Sequence, residues 1–273
     1  MIFTDQIGRT IELTGPPKRI VSVVPSQTEL LYDLGLEEEV IGITKFCIHP
    51  EAWFRSKTRV GGTKQLHIEK IRGLQPGLIL ANKEENVREQ VEELAREFPV
   101  WTSDISNLEE ALQMIRSVGE LVGKEEKANA IASGIETAFT NLTHLTPNLK
   151  PQTSNLKPLC CYLIWKEPYI TVGGDTFIHD MLRRCGLENA FAGEKRYPQV
   201  TPEQVREAGC RVVLLSSEPY PFRQKHVEEL SGLLGDDVKI FLADGELFSW
   251  YGSRLLQSPL YFEGLLRQIH SIS

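Results

Sequence analysis

Short, continuous apolar runs that recur between stretches of helical spacing constrain this 273-residue chain more than any other feature. Ile20 to Val24 is a largely β-branched run followed by Pro25-Ser26, and Thr28 to Leu34 then carries helix-forming residues up to a stop at Gly35. A run of that length bounded by turn residues reads as a strand, and the residues after it read as a turn and a helix N-terminus. Val40 to Ile43 and Leu78 to Ala81 are further runs of this kind, separated by helical spacing over Ile68 to Leu74. Repeated strand–helix units of this sort build a parallel sheet covered by helices. Ahead of them, Ile2 to Leu13 alternates around Gln6-Ile7-Gly8-Arg9, a hairpin pattern ended by Gly15-Pro16-Pro17.

The chain exceeds what one hydrophobic core usually serves, which favours two lobes of roughly 120 residues each. From Leu108 to about Leu145 a helical pattern pauses only at Gly119 and Gly123, with Ser106 or Asn107 as plausible caps. From Lys124 onward it predicts a single helix of about 20 residues, about 30 Å long at 1.5 Å per residue. Thr146 to Pro158, polar and proline-containing, reads as a surface connection. A second series follows, with strands at Leu159 to Ile164, Tyr169 to Val172, Arg211 to Leu215 and Lys239 to Ala243. Its helices fall at Phe177 to Cys185 and Ser253 to Ile269. The expected fold class is α/β: two Rossmann-like lobes, each with a mostly parallel sheet, joined by one long α-helix. The expected division is 1–118, N-terminal lobe; 119–157, connecting helix and linker; 158–273, C-terminal lobe.

A formal net charge of −7 with scattered Lys and Arg disfavours nucleic acid, whose phosphates need a basic stripe, and suits a basic partner surface. No apolar run approaches the ~20 residues of a membrane span, and Met1 to Asp5 lacks the features of a secretion signal. On that reading the chain is soluble and unexported. Five cysteines without a CxxC pair read as reduced, buried thiols. The chain carries no GxGxxG, GxxxxGK[ST] or GxSxG, and its six histidines form no HxxxH pair. No catalytic residue, no protein metal site and no intrinsic cofactor is therefore expected. Gly61-Gly62 and Gly173-Gly174 read as turns.

Three segments follow or join the expected strands, where α/β folds place ligands. In Val24 to Glu29, helix-opening N–H groups and the hydroxyls of Ser26 and Thr28 suit a polar or anionic group. Trp165 to Tyr169 and Phe248 to Arg254 concentrate aromatics in loops, which suits a large flat ligand; Phe248 alone favours the core. His49, before Pro50, could line a cleft or ligate a metal carried by a ligand. The ligand-binding set is Ser26, Phe46, His49, Trp165, Tyr197, Trp250, Tyr251 and Arg254, with Arg254 the charged group at the mouth of the site.

Arg19-Ile20-Val21-Ser22-Val23-Val24-Pro25-Ser26-Gln27-Thr28-Glu29, Arg59-Val60-Gly61-Gly62, Ile68 to Ile71 and Gln75 to Ala81 resemble the first lobe of substrate-binding proteins of ABC importers for cobalamin, haem and iron–siderophores. Val172 to Thr176, Gly186 to Phe191, Tyr197 to Val200 and Pro202 to Val205 resemble the second lobe. The likeness spans nearly the whole chain and is nearest the vitamin B12-binding branch. It implies the class III periplasmic binding protein fold, a cobalt- or iron-containing chelate in an inter-lobe cleft, and a monomer located in the periplasm or cell envelope. It also implies two docking carboxylates, Glu69 and Glu203, that meet arginines of the permease subunits. Where B12-binding relatives place first-lobe tryptophans, this chain has Thr63 and Asn82; the partner that some relatives give Cys185 is missing. The rival ligands are a ferric siderophore or haem, and the rival classes are a cytosolic tetrapyrrole enzyme or sensor.

Overall fold

In the computed structural model, which describes residues 1–145 and 157–271, the expected hairpin forms from β1 (Ile2–Thr4) and β2 (Thr10–Glu12), with Ile2 opposite Glu12. The chain then enters β3 (Ile20–Ser22), and α1 begins at Pro25 and ends at Asp33. The helix thus starts three residues before the expected Thr28, because proline lacks an N–H that the first helical position does not need and supplies the right φ. β4 (Val40–Ile43), α2 (Glu51–Ser56), β5 (Thr58–Arg59), the antiparallel pair β6 (Gly61–Gly62) and β7 (Gln65–Leu66), and α3 (Ile68–Leu74) follow. Gly61-Gly62 is therefore a short strand and not a turn. Gly61 has φ 106° there, and a Cβ would lie 2.4 Å from the Gln65 carbonyl oxygen. β8 (Leu78–Asn82), α4 (Arg88–Ala95), β9 (Val100–Ser103), α5 (Leu108–Leu121) and α6 (Glu125–Leu145) complete the first half.

The first compact unit comprises Met1–Ile105, Glu109–Ile135 and Trp250–Arg254. Its sheet runs β5-β4-β3-β8-β9, parallel throughout. Strand order reverses beside β3, since the chain moves outward through β4 and β5 and then returns to β8 on the other side. Val21, Ile79, Ala81 and Val100 from the sheet, and Val23 just after β3, pack with Ile71, Val91 and Leu94 from the helices. The expected pause at Gly119 is absent: α5 runs through it, and a Cβ there would sit 2.2 Å from Ala128 Cβ, so this glycine permits a close crossing with α6. The break comes at Gly123, whose φ of 67° a glycine adopts without strain.

Of the connection expected over Thr146 to Pro158, residues 146–156 lie outside the described residues. The second unit comprises Ser106–Leu108, Glu136–Ser249 and Leu255–Ser273. It contains β10 (Leu159–Leu163), α7 (Phe177–Cys185), β11 (Glu188–Asn189), α8 (Pro202–Glu207), β12 (Val212–Ser216), α9 (Gln224–Leu234), β13 (Lys239–Ala243), α10 (Gly245–Ser249) and α11 (Ser258–Ser271). The sheet order is β11-β10-β12-β13, again all parallel, with its reversal between β10 and β12. Cys161, Leu163, Val213 and Leu215 meet Val205, Leu230 and Leu234 in the core.

Tyr169 to Val172 does not form the expected strand. Its amides serve the loops instead: Ile170 makes single bridges to Trp165 and Gln199, and the Thr171 N–H donates to the Pro198 carbonyl at 3.0 Å. The expected helix from Ser253 is also divided. A 3-10 turn covers Ser253–Leu256, and α11 starts at Ser258 because Pro259 fits only the first turn of a helix. The parallel sheets in both units give the α/β class expected.

Candidate ligand site

In the first unit, Val24 caps α1 with an extended backbone (φ −132°, ψ 123°) and no side-chain hydrogen bond. Ser26 lies in the first turn, buried, and its Oγ has no hydrogen-bond partner among the described residues. Thr28 faces inward: its Oγ1 lies 2.8 Å from Ser22 Oγ, 2.9 Å from the Val24 carbonyl and 3.1 Å from Cys47 Sγ. The structure thus separates the two hydroxyls that the sequence grouped together.

The loop after β4 turns tightly because the Phe46 N–H donates to Thr44 Oγ1 at 3.3 Å, while Cys47 is buried against Thr44 and Thr28. Anchoring Cys47 inward leaves its neighbours outward, and Phe46 and Ile48 remain 50% and 44% exposed. Phe46 rests on Gly62, where a Cβ would meet its ring at 3.1 Å, and Lys45 Nζ lies 5.0 Å from the ring centre. His49, half-buried, meets Trp250 edge-on at 5.5 Å. The Arg254 guanidinium donates to both Glu29 carboxylate oxygens, at 2.8 and 2.6 Å, and lies 4.9 Å from the Trp250 ring centre. Trp250 and Tyr251 are themselves buried.

Thr63 and Asn82 are also buried. Asn82 Oδ1 accepts from the amides of Glu84 and Glu85 at 2.8 and 2.9 Å, and its Nδ2 donates to Ser103 Oγ at 3.0 Å. Asn82 therefore organises the turn after β8.

In the second unit, Trp165 stands at the carboxyl end of β10, beside the strand-order reversal, and is 40% exposed. Tyr220 meets it edge-on at 5.7 Å and is backed by Phe222 at 4.7 Å and His226 at 5.5 Å. Sequence reasoning missed this support, although Pro219-Tyr220-Pro221-Phe222 after an apolar run was a visible signal. His226 Nδ1 accepts the Arg223 N–H at 2.9 Å, which needs a neutral ring. Burial, then Lys225 and Lys166, holds its pKa below the usual histidine value. Tyr197 is half-buried with Arg196 5.6 Å from its ring centre. Phe248 is a core residue, fully buried against Tyr162 and Phe262 at 5.1 and 4.5 Å.

Glu69 and Glu203 occupy matching positions. Each is the second residue of its helix, each is exposed, and each pairs with an arginine three residues on. Arg72, the partner of Glu69, also reaches Glu93 at 2.9 Å and Glu97 at 2.6 Å. Glu203 lies 3.7 Å from Arg206, and hydrogen bonds from its own amide and from Thr201 hold its carboxyl below the usual range. All five cysteines are buried and unpaired, and no cluster of metal-ligating side chains occurs among the described residues.

Two parallel α/β sheets, each presenting an exposed loop aromatic near its carboxyl end, describe a protein built to bind a ligand. The chain belongs to the periplasmic binding protein family, whose sequence model matches residues 20–232; such proteins bind substrates and are not enzymes. The vitamin B12-binding protein of Vibrio vulnificus (strain YJ016) is 31% identical over 193 residues, covering 70% of this chain and 68% of that protein. The periplasmic vitamin B12 binding protein BtuF of Vibrio cholerae matches with a TM-score of 0.77 and 21% identity, over 94% of this chain and 98% of its own. A periplasmic heme binding protein from Pseudomonas aeruginosa matches with a TM-score of 0.80 and 19% identity, over 92% and 93%. At these identities the structural likeness establishes the fold, and proteins named for either ligand share it.

Proposed function

We propose that this chain is the substrate-binding component of an ABC-type importer in the cell envelope, and that it captures cobalamin or a related corrinoid and delivers it to the permease. The observation that carries the ligand class is Trp165, an indole left 40% exposed at the carboxyl end of a parallel sheet and braced from behind by Tyr220. Leaving a large ring in water forgoes the burial that drives folding, and a flat chelate restores it on binding. The sequence likeness to a vitamin B12-binding protein supports the corrinoid within that class.

On the second unit the assigned contacts are Trp165 and Tyr197. On the first they are Phe46 and His49, with Ser26, Trp250, Tyr251 and Arg254 behind or beside them. A ferric siderophore or haem is the second reading, for which the half-buried His49 supplies an imidazole, a donor suited to iron. Glu69 and Glu203 are assigned to docking, since carboxylate–arginine forks orient a partner as well as attract it. The chain acts as a monomer and holds no resident cofactor; the metal travels with the ligand.

Calorimetric titration of the protein and its Trp165→Ala variant with cyanocobalamin tests the assignment. Stacking worth about 1 kcal/mol beyond area predicts at least a roughly fivefold weaker Kd for the variant. Equal affinities would remove Trp165 from the site.

A further inference from the structure

We infer that Glu29 and Arg254 are positioning residues of the ligand site, whose ion pair fixes the segment Trp250–Arg254 on the first turns of α1 and so sets Trp250 against His49. The inference rests on the reading of that face as ligand-binding. It reassigns Arg254 from contacting the ligand to holding the residues that do.

The two residues are 225 positions apart, yet their side chains are only 12% and 13% exposed and meet through two parallel hydrogen bonds. Buried pairs offset much of their attraction by desolvation, so this pair contributes geometry more than net stability. The fork arrangement admits one orientation, which a lysine's single ammonium does not reproduce. Gly252 shows how closely the segment lies on the helix: a Cβ there would stand 2.4 Å from the Ser26 carbonyl oxygen and 3.5 Å from Leu30 Cβ. The guanidinium that grips Glu29 also lies over Trp250, and Trp250 lies against His49. Contacts therefore run from Glu29 through Arg254 and the buried Trp250 to the half-buried His49. The Glu29 carboxylate takes two of the five guanidinium donors and fixes the plane of the fork, so the group's orientation is set from within the unit.

The test uses the intact protein labelled with 5-fluorotryptophan, with the Trp250 resonance assigned through Trp250→Phe, together with titration against cyanocobalamin and haemin. Glu29→Gln and Arg254→Lys are conservative enough to keep the fold, and each is expected to shift the Trp250 resonance without ligand. Each is also expected to weaken binding by about fivefold, the scale of one misplaced aromatic contact, with the double variant no worse than either single one. An unmoved Trp250 resonance in Glu29→Gln overturns the inference. So does intact affinity in Glu29→Gln alongside lost affinity in Arg254→Lys, which would make Arg254 a ligand contact. If the unsubstituted protein binds neither chelate, the functional reading fails, and the ligand-free resonance shift still reports separately whether the pair positions Trp250.

Discussion

Phe46 and Trp165 differ from the other aromatic candidates in offering a ring to solvent, whereas Trp250 and Tyr251 are closed in. Replacing Phe46 with alanine should therefore weaken chelate binding by about fivefold and leave the urea midpoint nearly unchanged, since its ring is half outside the core. Comparing the Kd and the denaturation curve of that variant checks both halves. His226 sets a pH dependence. Its folded pKa lies below the unfolded value, so its contribution to stability is full above about 6.5 and is lost as pH falls through the depressed folded value. The melting temperature should fall as pH drops below about 6.5, and His226→Gln, which can still accept the Arg223 amide, should flatten that slope. The sequence showed which loops carry aromatics but not which rings stay exposed. Asn82 illustrates the limit: a strand-end asparagine closes its own turn by local hydrogen bonds, and nothing in its spacing separates that role from ligand contact.

Elements with strong periodicity were legible to the residue: β4, β13, α3 and α7 have the bounds that the sequence predicts. Weakly patterned ones were missed. α4 buries only Val91 and Leu94, and β9 (Val-Trp-Thr-Ser) is wholly buried although half its residues are polar, so neither carries a clear period. α8 shows what a short helix depends on. Thr201 Oγ1 accepts from the Gln204 amide at 3.3 Å while Gln204 Oε1 accepts from the Thr201 amide at 2.9 Å, a reciprocal cap on a six-residue helix. Thr201→Ala should cost about 1 kcal/mol, read from the urea midpoint, and because Thr201 also holds the Glu203 carboxyl low, that pKa should rise in a carboxylate-resolved NMR titration.

At the scale of the whole molecule, the class of protein was legible because its motifs recur in order across both halves of the chain, while the ligand depends on a few loop side chains. The matching Glu69 and Glu203 positions, each opening a helix with an arginine three residues on, give the docking proposal a direct test. Glu69→Lys with Glu203→Lys should abolish uptake through the cognate permease and leave ligand affinity in solution unchanged, because exposed charges govern encounter and register. Unimpaired uptake would remove both residues from docking. The central claim, that this chain binds a metal chelate, is tested most directly by absorbance titration of the purified protein against cyanocobalamin, haemin and a ferric siderophore. The account predicts a saturable change in the chelate's spectrum with at least one of the three, cobalamin first, and spectra unchanged by the protein in all three titrations would contradict it.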